Sequence, residues 1–157
     1  VIDFEKMTSF TTEYMASIAF AIKNLVQEDA RKGIMQDNSS GLGYKSRKYT
    51  AQKSKGTYNG TGRRGNAQVS TNTSYVDMHL TGDLFDSMTI SSTPETAIVA
   101  VDPLDEDKIT TNEHLGRVII DLRDENVDTI TEKIAQQIND NIEELNNDVE
   151  ISMSITI

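Results

Sequence analysis

The stretch HLTGDLFDSMTISSTPETAIVAV, residues 79–101, decides how the rest of the chain is read. Leu80, Leu84, Phe85 and Met88 recur at helical spacing, which predicts a short helix capped by Thr81 or Asp83. From Met88 to Ser92 the pattern turns extended. Pro94 and Glu95 form a turn, and Thr96–Val101, with Ile98, Val99 and Val101, is a β-rich run. An antiparallel pair joined at Pro94 is the simple reading. Asp102-Pro103 ends the second strand.

Downstream, Leu104–Leu115 reads as a short helix whose first turn carries Asp105, Glu106 and Asp107, acids that complement a helix dipole. Their spacing does not match a calcium loop, which needs a central Gly and a distal Glu. Val118, Ile119, Ile120 and Leu122 form an apolar run. Asp124 caps a second long helix to about Asn146, with Val127, Ile130, Ile134, Ile138, Ile142 and Leu145 on one face. Val149, Ile151, Met153, Ile155 and Ile157 then alternate with polar residues, the pattern of a half-buried strand.

Upstream, residues 3–32 read as one amphipathic helix. Asp3 is its N-cap, Phe4, Met7, Thr11, Tyr14, Ile18, Ile22 and Leu25 its apolar face, and Gly33 its stop. Residues 36–76 are rich in Gly, Ser, Thr, Asn and cations, with few aliphatic residues, and predict an extended loop or arm. The whole order predicts a single α+β domain over residues 1–157: two long helices on a small, mostly antiparallel sheet, with a long basic loop.

Charge divides the 157 residues sharply. The net charge is −10, yet residues 38–76 hold seven cations and no acid, while residues 102–157 hold fifteen acids and four cations. A positive segment in an acidic protein signals a partner and not a fold. Its cations are Lys45, Arg47, Lys48, Lys53, Lys55, Arg63 and Arg64, with Tyr44 and Tyr49 among them. Three roles fit the segment: docking on an acidic surface of a neighbouring copy or partner, contact with nucleic-acid phosphates, or a solvated loop.

Catalytic chemistry finds little support in these residues. There is no cysteine, which removes disulfides, thiolate ligands and a thiol nucleophile. Gly60-Thr61-Gly62-Arg63-Arg64-Gly65 spells a dinucleotide fingerprint, but neither flank supplies the buried strand or the helix it needs. His79 and His114 have no nucleophile spaced near them. The expectation is a non-enzyme with no metal and no cofactor. Without an apolar membrane span or a signal peptide, it is soluble and non-secreted. The sequons at Asn38, Asn59 and Asn72 are then chance matches.

Leu80-Thr81-Gly82-Asp83-Leu84, with Ser87 following, resembles the LTG-x-L-x-x-S signature of tailed-bacteriophage head–tail connector and tail-completion (neck) proteins. Asn112-Glu113-His114-Leu115-Gly116-Arg117, followed by Ile119, Ile120 and Leu122, resembles the second landmark of that family, in which a glycine and an arginine precede an apolar segment and the last helix. Many relatives place a proline and an aromatic residue after the arginine, where this chain has Val118-Ile119-Ile120. The resemblance spans roughly residues 78–145. It implies a structural virion protein made in the host bacterial cytoplasm, a ring joining head portal to tail, in which Arg117 ties the apolar segment to the rest of the subunit. Its implied partners are copies of itself, neighbouring head-connector and tail-tube proteins, and DNA in the channel, with no membrane. A tail terminator capping the tail tube is the alternative within that class. A small nucleic-acid-binding module using residues 45–64 is the alternative outside it.

Overall fold

The computed structural model describes residues 4–35, 43–57, 67–79 and 81–154, with side chains from Glu5 to Asn146. Asp3, Leu80, the Gly60–Gly65 stretch with Arg63 and Arg64, and residues 155–157 lie outside the described residues. The class is α+β, with a two-stranded antiparallel sheet.

The N-terminal segment is two helices, not the single one expected. Helix α1 spans Phe4–Met7 and α2 spans Thr12–Lys32. The Ser/Thr-rich junction explains the break, because short hydroxyl side chains compete for backbone groups. Thr11 is extended and its hydroxyl accepts from the Tyr14 amide at 3.0 Å, which starts α2 as an N-cap. Asn141 donates to the carbonyls of Met7 and Ser9 at 3.1 and 3.2 Å, satisfying groups freed by the break. Gly33 ends α2 in the left-handed region at φ 74°. Its amide reaches the Ala30 carbonyl and the Ile34 amide reaches that of Asp29, a Schellman arrangement.

The basic segment is not a continuous loop. Arg47–Ser54 forms α3, opened by Ser46, whose hydroxyl accepts from the Tyr49 amide at 3.2 Å. Helix α4, Asp83–Asp86, follows Gly82, which occupies the cap position without a side-chain cap bond, so neither Thr81 nor Asp83 takes the expected role.

Strands β1, Met88–Thr93, and β2, Thr96–Val101, pair with Met88 opposite Val101 and Thr93 opposite Thr96. The Thr93 hydroxyl accepts from the amides of Glu95 and Thr96, closing the Pro94-Glu95 turn. Helix α2 lies on this hairpin and is stitched to β1 and its approach. Lys23 donates to the Met88 carbonyl at 2.6 Å and Gln27 to that of Phe85 at 3.1 Å. The expected helix after Pro103 divides into a 3-10 turn, Pro103–Asp105, and α5, Glu106–His114.

Helix α6 runs from Asp124 to Ser154, 31 residues without Pro or Gly. Residues 149–154 are therefore helical, which overturns the expected C-terminal strand. Once a helix has been nucleated, each added residue costs little and no breaker stops it here. Helix α6 packs along α1 and α2 rather than on the sheet. Its expected apolar face holds at Ile130, which is buried, and at Ile134, Ile138, Ile142 and Leu145, which are half-buried, whereas Val127 is exposed.

Two apolar clusters share Met78, Val101 and Ile120. One gathers Val26, Ala30, Phe85 and Met88; the other gathers Met35, Leu84, Ile109 and Ile119. Burial of side chains this size contributes roughly 1.5–3 kcal/mol each. The two quoted landmark stretches thus meet in the core through Leu84, Phe85 and Ile119. Among the described residues, no helix is long and apolar enough to cross a membrane.

Candidate functional site

A cleft of about 700 Å³ lies where three segments meet. The basic segment supplies Tyr44, Lys45, Ser46 and Tyr49. The approach to β1 supplies Val76, Met78 and His79, then Thr81, Gly82, Asp83 and Leu84. Helix α5 and the turn after it supply Lys108, Thr111, Asn112, Leu115 and Arg117.

Beside the cleft, a buried ion pair anchors the basic segment. Lys53 Nζ lies 2.5 Å from Asp77 Oδ1, and both side chains are sealed from solvent. The Tyr44 hydroxyl donates to the same oxygen at 3.0 Å and accepts from Lys53 at 2.5 Å. The second oxygen of Asp77 accepts from the Ser70 hydroxyl, and the His79 amide donates to the first at 3.2 Å. Burial works to raise the Asp77 pKa. The Lys53 and Ser70 bonds, the His79 amide and the Lys53 charge outweigh it and hold the carboxyl below its ordinary value. Burial, then the Asp77 charge, pushes the Tyr44 phenol well above its ordinary value. The His79 imidazole is pushed down by burial and by the Arg31 charge, which leaves it neutral at pH 7.

Arg117 is held from two sides. Gly116, at φ 73°, ends α5, and the Arg117 amide bonds back to the Asn112 carbonyl at 3.0 Å. Its Nη1 donates to Asn112 Oδ1 at 2.9 Å and its Nη2 to the Gly43 carbonyl at 3.5 Å. The side chain is 5% exposed, and Nε donates to nothing among the described residues. Arg117 therefore links the apolar run to the start of the basic segment, without an acidic partner among the described residues.

Of the arm and family-motif residues singled out in the sequence, Tyr44, Lys45, Tyr49, Thr81, Gly82, Leu84 and Arg117 line the cleft, as do His79 and Asp83. Ser87 is buried below them, donating to the Leu84 carbonyl at 2.7 Å. Arg47, Lys48 and Lys55 are exposed and do not line the cleft. Lys53 is a correction. Counted among the arm's partner-facing cations, it is instead fully buried as the counter-charge of Asp77. Asp77 and Ser70 escaped the sequence reading, and Asn112 was read only as part of the second landmark. Ser46 before a Gly- and Pro-free run was the one signal that residues 47–54 are helical and could carry Lys53 inward.

Among the described residues, no three His, Asp or Glu side chains come together to hold a metal ion. Compared with family models, curated proteins and solved structures, the chain matches none.

Proposed function

We propose that this chain is an assembly subunit of a tailed-bacteriophage virion, a neck or tail-completion protein that forms a ring between head portal and tail. The observation that carries the reading is the convergence on one cleft of Thr81, Gly82 and Leu84, of Arg117, and of Tyr44, Lys45 and Tyr49. These are the segments on which the family resemblance and the charge asymmetry rest. The work of such a subunit is recognition of neighbours and not chemistry, and the same surfaces would serve a tail terminator.

Charge distribution supports assembly as well. Helix α3 and its C-cap expose Arg47, Lys48 and Lys55, whereas α6 exposes Asp124, Glu125, Asp128, Glu132, Asp140, Glu143 and Glu144. One subunit thus carries both signs on separate elements, which suits a head-to-tail interface repeated around a closed ring.

Light scattering and negative-stain microscopy of the full chain, at low and high salt, test this reading. Deleting the basic segment would confound the test, since Lys53 and Tyr44 support the core. The informative variant is Arg47→Glu/Lys48→Glu/Lys55→Glu, confined to exposed positions. A ring that dissociates with salt or in the triple variant supports the proposal. A chain that stays monomeric at high concentration, alone and with neck partners, overturns it.

The same three exposed cations favour a second reading as a nucleic-acid-binding module. That reading requires DNA affinity in the monomer, falling steeply with salt and lost in the triple variant.

A further inference from the structure

The hairpin has two edges, and α2 lies along one of them. Lys23 Nζ donates to the Met88 carbonyl at 2.6 Å, and Ser92 on the same strand donates to the Thr12 carbonyl at 3.1 Å. The other edge belongs to β2. In an antiparallel pair, alternate opposite residues exchange both hydrogen bonds, and those between them point both backbone groups outward. The two-residue turn makes Thr93 and Thr96 an exchanging pair, and the Asp102 amide on the Ser87 carbonyl at 3.1 Å keeps the alternation. The N–H and C=O of Ala97, Val99 and Val101 therefore point away from β1. Among the described residues they meet no backbone partner.

Such an edge is a template for another strand unless charge, proline or a bulge blunts it. Thr96–Val101 holds no charge and no proline, and its register with β1 is unbroken. Its own subunit does not close over it either. Ala97, Val99 and Val101, on the face of Met88, are only half-buried, and Ile98 on the opposite face is 49% exposed.

We infer that the outer edge of β2 pairs with the same edge of a second copy, antiparallel across a two-fold axis at Val99, to make a four-stranded sheet. The strand is complementary to itself in that register. Val99 exchanges bonds with the partner's Val99, and Ala97 with the partner's Val101, so every outward group named above is satisfied. Ile98 then lies opposite the partner's Ala100, a large side chain against a small one, and no charge meets another. Neighbouring registers fit less well. One centred on Ile98 sets Val101 against the Pro94-Glu95 turn, and one centred on Ala100 sets Ala97 against Pro103, which has no amide.

A two-fold contact closes after two copies, so it is separate from the head-to-tail contact of a ring and does not rest on the assembly reading. Five residues a side make a small interface, so the pair is best captured covalently. The chain has no cysteine, and introduced ones report the register directly. Opposed Val99 residues would have Cα atoms about 5.5 Å apart, within disulfide reach. The two Ala97 residues would be roughly 14 Å apart, at ~3.4 Å per residue. Under mild oxidation, with rates normalised to each thiol's reaction with a small disulfide, Val99→Cys should dimerise about tenfold faster than Asn24→Cys, an exposed α2 control. Ala97→Cys and Val101→Cys should each match the control alone, and match Val99→Cys when mixed. Adding Val99→Pro to the mixed pair removes only an outward amide, which the hairpin does not use, and should return cross-linking to the control rate. Control rates for both Val99→Cys and the mixed pair overturn the inference, as do equal rates at residues 97, 99 and 101. Capture of Val99→Cys by Ile151→Cys of another copy, with none by itself, also overturns it and gives the edge to the C-terminal segment.

Discussion

Lys53 and Asp77, 24 residues apart, form an ion pair whose side chains are 0% and 5% exposed. The pair fixes α3 against the approach to β1, so a segment that reads as a solvated arm is in part a structural strut. Removing one partner of a buried pair leaves the other charge unsatisfied, at a cost of about 3–5 kcal/mol. Lys53→Met should therefore lower unfolding stability by that amount in urea titrations. Adding Asp77→Asn should recover at least half, because the amide oxygen still accepts from Tyr44 and the His79 amide. A Lys53→Met loss below about 0.5 kcal/mol, the size of a surface effect, would refute the strut.

The same network sets the pH limits of stability. Asp77 has a folded pKa below its ordinary value, so its contribution is full above the unfolded carboxylate range near ~4 and fades as pH falls through the folded pKa. Tyr44 is shifted the other way, so its contribution is full below the unfolded phenol value near ~10 and fades as pH rises beyond it. Stability plotted against pH should fall on both sides. Asp77→Asn should flatten the acid limb and, because the Asp77 charge helps to raise the Tyr44 phenol, weaken the alkaline limb as well, whereas Tyr44→Phe should flatten the alkaline limb alone. Unchanged limbs in both variants would assign the pH dependence elsewhere.

Gly33 and Gly116 both sit at positive φ, yet they should respond differently to alanine. A Cβ on Gly33 would lie 2.7 Å from Cγ of Tyr75, in addition to left-handed strain, whereas one on Gly116 meets nothing within 4 Å. Left-handed strain alone costs roughly 1–2 kcal/mol. Gly116→Ala should show that cost and Gly33→Ala distinctly more, with the excess removed in a Tyr75→Ala background. Equal thermal shifts for the two would mean that the Tyr75 ring moves aside freely.

Asp29 on α2 is the junction between the N-terminal helices and α6. It accepts the Arg123 fork and also Asn126 Nδ2 at 2.7 Å. A double-mutant cycle on Asp29→Asn and Arg123→Gln should give a coupling of about 1–3 kcal/mol. Arg123→Lys should not rescue it, because a lysine cannot span both oxygens. Additive effects would show that the pair contributes no more than its separate parts.

What was legible in the sequence followed from strong local signals. The hairpin at Pro94, the Gly33 stop and the Asp124 start were all readable, because turn chemistry and capping act over a few residues. The cleft was legible only as its separate parts. Tyr44, Thr81 and Arg117 stood out one by one, but no spacing indicates that residues 37 and 36 positions apart share a wall. Lys53 was misread because composition counts a lysine as exposed. Its burial depends on Asp77, and that pairing is a tertiary fact.

The end of α6 sets two local rules against each other. Val149, Ile151 and Met153 alternate with polar residues as a half-buried strand does. Yet they continue a helix from Asp124 with neither Pro nor Gly to stop it, and a growing helix gains one backbone hydrogen bond for each residue fixed. Period-two patterning has force only where a neighbouring strand waits, and the described sheet contains β1 and β2 alone. Carbon-13 secondary shifts should therefore stay helical from residue 149 through Ser154 in the isolated chain. Strand-like shifts across 149–154 in the isolated chain would show that period-two patterning prevails there over helix continuation. If the shifts reverse only after assembly, the segment has found a strand partner in a neighbouring subunit.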